Sequence, residues 1–256
     1  MENKGLLSSK ETKENIEQYF LDINFQRRQD GNMPLWRRAV NVVTGYAGLL
    51  IISLIATFVV FAFTKNEAVS NGIITYVSYG ALFLLFLGLN FKNIKTLFKQ
   101  FLDFGVICRG ILFGLLVMFI PALFMVFINP LIPNQSVNSN ETTIREMIKL
   151  FPWLTLFFAG VIGPICEEFT YRIGLFGLLR KKRWVAYVAT CLVFGLIHFD
   201  FTAFSNSTKL LIELGNLPSY MISGLILAYA YDRYGFAVAC YAHIFNNAIS
   251  ILYSIF

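Results

Sequence analysis

Apolar runs of bilayer-spanning length recur along this 256-residue chain, and nothing else in it constrains the fold as tightly. A transmembrane helix needs roughly 20 predominantly apolar residues. Stretches such as LLIISLIATFVVFAF and ILFGLLVMFIPALFMVFI, with their flanks, supply them. Charged or Pro/Gly punctuation divides the runs into candidate spans at roughly 40–64, 72–91, 105–130, 151–180, 184–200, 217–231 and 236–256. The expectation is an all-α polytopic membrane bundle of about seven transmembrane helices, bounded by six and eight. The fourth candidate is too long for an upright span and must tilt or break. Pro164 marks the place for a kink. The sixth is short.

Composition agrees with a membrane protein. The chain is 57% hydrophobic and 14% charged, whereas soluble domains run near half apolar and about a quarter charged. The expected organisation is a polar, cytoplasmic N-terminal arm at 1–38 and one transmembrane domain at 39–256. The arm has no apolar h-region, so a cleaved signal peptide is not expected. Ile16, Phe20 and Ile23 lie one turn apart, as in a short amphipathic helix, but a solvated arm is the simpler reading.

The formal charge of +6 does not point to nucleic acid, because no basic stripe with interleaved aromatics exists. Lys and Arg fall mainly in short loops: Lys92, Lys95 and Lys99, then RKKR at 180–183, then Arg233. Alternate loops would hold only Lys65, Arg145, Lys149 and Lys209, which predicts N-inside and C-outside. NPLIPNQSVNSNETT at 129–143 then becomes an external connection. Cys108, Cys166, Cys191 and Cys240 form no CxxC pair and read as small buried hydrophobes.

Against this background EEFTYR at 167–172 is anomalous, since intramembrane carboxylates are expensive. Glu168 and Arg172 are i,i+4 neighbours and can pair. Glu167 points about 100° away and has no partner on its own helix. Both histidines of the chain, His198 and His243, also lie in apolar stretches, with Asn247 one turn beyond His243. Counted from RKKR, Glu167 and His198 lie roughly 20 Å deep, and His243 lies roughly 15 Å past Arg233. Three helices thus bring polar side chains to similar depth.

Such a set suits peptide-bond hydrolysis. A carboxylate in a mostly apolar pocket can act as general base on water. A neighbouring imidazole can hold that water or shuttle a proton. Asn and a second His can donate to the oxyanion of a tetrahedral intermediate. Cys166 adjoins the pair, but no Ser or Cys has an evident base, so water attack fits better than a covalent enzyme intermediate. Glu167, His198 and His243 are also a possible zinc ligand set, although HExxH spacing is absent. No cofactor is favoured, and a divalent metal stays open.

EExxxR as EEFTYR (167–172), FxxxH as FGLIH (194–198) and HxxxN as HIFNN (243–247), in this order on apolar helices, resemble the CPBP family, also called Abi or CAAX-protease-like intramembrane proteases. The resemblance covers roughly 150–250 and suggests a bacterial branch, hence a bacterial plasma membrane. It implies a protease-like core with its site sunk below the bilayer surface. It also implies Glu167 as general base, His198 positioning water, and His243 with Asn247 at the oxyanion, supported by Glu168 and Arg172. Relatives are described both as metalloproteases and as metal-free glutamate proteases. The expected partner, besides the lipid bilayer, is a membrane-associated peptide or protein substrate. Two other readings use the same polar residues. One is a non-catalytic membrane regulator or immunity protein; the other is a proton-coupled carrier, for which no inverted repeat is visible.

Overall fold

Lipid-facing apolar surface and helix punctuation account for the architecture of the computed structural model, which describes residues 33–133 and 136–256. The amphipathic turn at Ile16–Ile23 and most of the polar arm lie outside these residues. Among the described residues there are nine principal helices and no strand: α1 (Leu35–Phe63), α2 (Glu67–Leu89), α3 (Phe91–Lys99), α4 (Phe104–Leu131), α5 (Ser139–Leu150), α6 (Pro152–Leu179), α7 (Arg183–Leu196), α8 (Ser207–Tyr234) and α9 (Phe236–Ile255). Six of them (α1, α2, α4, α6, α8 and α9) are long and apolar enough to cross a membrane. The protein is a multi-pass all-α membrane bundle.

Two expected spans change. The candidate at 184–200 ends at Leu196, and α7, with 14 residues, rises only roughly 21 Å, short of a hydrocarbon core of roughly 30 Å. The sixth candidate is not short. α8 extends back to Ser207 and has 28 residues; Lys209, Glu213 and Asn216 hid its first turns from a hydropathy reading. Two stretches expected as loops are helical. α3 is amphipathic, burying Leu97 while Lys92, Lys95 and Lys99 are exposed. α5 starts from Asn138, whose side chain accepts the Glu141 N–H at 3.0 Å, a standard N-cap contact.

α6 is broken twice. A π-turn at Phe158–Ile162 precedes Pro164. Proline has no N–H to donate, and its ring conflicts with the carbonyl four residues back, so a widened turn upstream relieves the clash. A second π segment, Phe169–Phe176, follows the glutamates. There the backbone is completed from α1: Arg38, fully buried, donates through Nη1 to the Ile173 carbonyl at 3.1 Å. α1 approaches so closely that a Cβ on Gly45 would fall onto the Thr170 side chain. The same α6 segment carries the core, with Phe169 stacked on Phe86 of α2 at 5.2 Å and Ile173 wholly buried.

At the other end of the bundle, α7 and α8 are tied by the Arg183–Asp232 ion pair and by Tyr187, whose hydroxyl donates to Asp232 at 2.9 Å. Gly235 alone separates α8 from α9 with φ of 91°, a conformation that an L side chain resists. This turn brings α9, with His243, back into the bundle against α4 and α6. Leu54, Phe58, Leu123 and Phe127 point outward and remain exposed, as a lipid-facing belt would. The four cysteines are free: Cys166 and Cys240 are buried, Cys191 is half-buried, and Cys108 is exposed on α4, unlike the buried position expected for it.

Candidate active site

Glu168 is the fixed point of the site. Its carboxylate is fully buried and accepts from Arg172 Nε at 2.8 Å, the i,i+4 pair expected from EEFTYR. It does more than pair locally. Its other oxygen lies 2.9 Å from His243 Nδ1, so one buried acid links α6 to α9. An ionised carboxylate offers only acceptors, so Nδ1 is the donor and carries the proton. Nε2 is then the ring atom left facing the interior. Arg172 also lies over the Phe194 ring at 5.4 Å, while its two terminal nitrogens have no hydrogen-bond partner among the described residues.

Glu167 occupies a different environment. Oε1 accepts from the Tyr79 hydroxyl of α2 at 3.3 Å. Oε2 is buried, has no hydrogen-bond partner, and lies 3.7 Å from His243 Nε2. That spacing exceeds a direct hydrogen bond. Buried polar atoms are nearly always satisfied, so an orphan acceptor beside an open cavity marks the place of a water or a reacting group. Glu167 lines a cavity of about 510 Å³ together with His198 and Asn247.

His198 is not within a helix, as the sequence suggested, but in the turn just after α7. Its orientation is set from outside the three motifs. The imidazole stacks on Tyr220 of α8 with ring centroids 4.3 Å apart and 22° between planes. Its carbonyl accepts from Asn138 Nδ2 at 3.3 Å, and Tyr220 donates to Asn138 Oδ1 at 3.2 Å. Buried Glu213 anchors this corner by accepting the Ser139 N–H at 2.8 Å and the Asp200 N–H at 3.2 Å. Asn247 donates through Nδ2 to the Ala159 carbonyl in the π-turn of α6 at 3.3 Å.

Glu167, Glu168, Arg172 and His243 therefore form one contact network, and His198 and Asn247 line the same cavity as Glu167. Of the alternative ligand set, Glu167 and His243 lie 3.7 Å apart, and His198 lines the same cavity as Glu167. Among the described residues no group of three His, Cys, Asp or Glu side chains is arranged to hold a metal ion.

Residues 149–249 match the family model described as type II CAAX prenyl endopeptidase, Rce1-like. This part of the chain is similar to the Rce1-like proteins of the CPBP family. No curated protein and no solved structure is significantly similar to the chain. The Rce1-like segment runs from the end of α5 into α9 and contains all three motifs, so it carries every residue expected at the site. It omits Arg38 and Tyr79, which contact it from α1 and α2, and the Asn138 cap. Those residues had weaker signals. Tyr79 was visible as a tyrosine mid-span, where its hydroxyl requires a partner. Glu213 would have stood out as an intramembrane acid had α8 been traced from Ser207.

Proposed function

We propose that this protein is an intramembrane endopeptidase that hydrolyses a peptide bond of a membrane-associated peptide or protein by glutamate-activated water. The observation that carries this reading is Oε2 of Glu167, buried without a hydrogen-bond partner among the described residues, 3.7 Å from His243 Nε2, in a residue that lines a cavity shared with His198 and Asn247. Similarity to a protease family supports the reaction class.

In the proposed step, a water held by Glu167 with help from His198 attacks the scissile carbonyl carbon, and its proton passes to the Glu167 carboxylate. The carbonyl oxygen becomes an oxyanion that accepts from Asn247 Nδ2 and, when His243 is protonated, from its Nε2–H. Glu168 holds His243 in this orientation. Collapse of the tetrahedral intermediate breaks the C–N bond, and Glu167 returns the proton to the departing amine. The products are a carboxylic acid and an amine, and the base is regenerated. Every group used belongs to the chain.

Orientation belongs to the same proposal: the ends of the bundle carrying α3 and RKKR face the cytoplasm in a plasma membrane. Glu167→Gln and His198→Ala variants, inserted into vesicles with candidate peptides, test the reaction. Both are expected to insert normally and to release no product. Undiminished cleavage by both variants would refute proteolysis at this site and leave a membrane regulator as the better reading. A chelator is expected to leave wild-type cleavage intact; loss restored by one added metal ion would require a ligand set that includes rearranged His198.

A further inference from the structure

Two cavities of opposite character meet at the site. The first, of about 510 Å³, contains Glu167 and is walled largely by apolar side chains, Leu49 and Leu50 of α1, Leu82 of α2 and Met147 of α5 among them. The second, of about 340 Å³, contains His243 and is walled by Asn216, Ser219 and Ser223 of α8 and Asn246 and Ser250 of α9, over an apolar floor from α4. Both include His198, Asn247, Asn140, Ile144 and Ala159 in their walls. Two of the four residues expected to act, His198 and Asn247, thus stand where the chambers adjoin, with Glu167 on one side and His243 on the other. Both volumes lie in the usual range for ligand pockets, about 300–1,000 Å³.

Charge is scarce in both chambers. Among the described residues neither is lined by Lys or Arg, and the polar one has a single acid, Glu141, already paired with Arg145 at 2.9 Å. Apart from His198 and His243, which the proposed step uses, the chamber offers an acidic substrate side chain no cation to pair with. An apolar one would cover the remaining acceptor positions of wall hydroxyls, whose protons are already given to α8 carbonyls. A small uncharged polar side chain avoids both penalties. The Glu167 chamber reverses the preference, since its walls reward apolar area removed from water.

We propose that the substrate peptide lies across the His198–Asn247 junction with apolar residues on one side of the scissile bond, in the Glu167 chamber, and small uncharged polar residues on the other, in the His243 chamber. This division rests on the protease reading above. It makes α8 and α9, through Ser219 and Ser223 above all, a wall that selects the substrate.

The test uses the full chain in phosphatidylcholine liposomes with three otherwise identical peptides. One passes from leucines to Ser and Asn within its central segment, one is apolar throughout that segment, and one carries Glu in place of Ser and Asn. Mass spectrometry of the products locates the cleavage. The divided peptide is expected to be cut at its boundary roughly 10-fold or more faster than either other peptide, the scale on which pocket contacts discriminate. Ser223→Leu and Ser219→Leu are expected to erase that preference by favouring the all-apolar peptide. Both hydroxyls bond only to carbonyls within α8, at 2.9 and 2.7 Å, so no tertiary hydrogen bond is removed.

Equal rates for the three peptides, no cleavage of the divided peptide, or an equal slowing of all peptides by both serine variants would overturn the division. Glu167→Gln separates this from the underlying reading. If that variant releases the wild-type products, proteolysis at this site fails; if it releases none while the wild type cleaves without preference, only the division fails.

Discussion

Two adjacent glutamates have been given opposite surroundings. Glu168 is enclosed by Arg172 and His243, whereas Glu167 has one hydroxyl donor and a second oxygen without a hydrogen bond among the described residues. Glu167→Gln is therefore expected to lower kcat by roughly 10²- to 10⁴-fold, the usual contribution of a general base, and to leave thermal unfolding in detergent unchanged. Glu168→Gln is expected to do the reverse first: it strips the charge from the partner of a buried guanidinium, a change that costs about 3–5 kcal/mol in other buried pairs. Unfolding midpoints for both variants separate the roles, and equal midpoints would contradict the assignment. Outside the spanning segments, Asp200 predicts a pH effect. Hydrogen bonds from Lys209 and then Thr202 hold its carboxyl below the usual carboxylate range. A depressed folded-state value stabilises above the unfolded value of about 3.9 and is lost as pH falls through the lowered one. Asp200→Asn should thus destabilise slightly at neutral pH, by less than about 1 kcal/mol for so exposed a pair. The difference from wild type should vanish in strong acid, as pH-dependent unfolding curves would record.

At the scale of elements, α6 decides the geometry, and its two π segments place Glu167 and Glu168 on faces that a regular helix would not combine with these neighbours. The second segment depends on α1. Gly45 has no room for a methyl group beside Thr170, whose hydroxyl is already committed to the Cys166 carbonyl at 2.9 Å. Gly45→Ala is expected to destabilise the fold by about 1–3 kcal/mol through overpacking. Adding Thr170→Ser, which removes one of the crowding atoms, should restore part of that loss. Additive losses in this double-variant cycle would show that the two residues do not meet. The sequence carried much of this in advance: the break in α6 followed from its length and from Pro164, and the Glu168–Arg172 pair from i,i+4 spacing. The His243 contact with Glu168 was not legible, because similar depth on two helices does not state which faces turn together. The upstream half of α8 was missed because Lys209, Glu213 and Asn216 lower its hydropathy, although Glu213 is buried by two backbone N–H donors.

Across the whole molecule, the Rce1-like segment at 149–249 holds the motifs but not everything that shapes them. α1 supplies Arg38 to the Ile173 carbonyl, α2 supplies Tyr79 to Glu167, and the start of α5 supplies Asn138 to the turn that carries His198. Motif spacing picks out the residues proposed to act, but these supports come from elements whose sequence looks like ordinary membrane helix, so only tertiary contact exposes them. A fragment 134–256, which keeps Asn138, is accordingly expected to enter membranes yet lack the fully formed site, with Ile173 O deprived of the Arg38 donor and Glu167 relieved of its only hydrogen-bond donor among the described residues. Co-expression with a 1–133 fragment should restore peptide cleavage, because α1 and α2 dock through side chains and not through the connecting chain. The same 1–133 fragment carrying Arg38→Met should restore less, and one carrying Tyr79→Phe should reassemble the bundle but give slower cleavage. Co-purification measures assembly and product release measures activity, so the two effects are read separately. Full activity from 134–256 alone would show that α1 and α2 are lipid anchors without influence on the site.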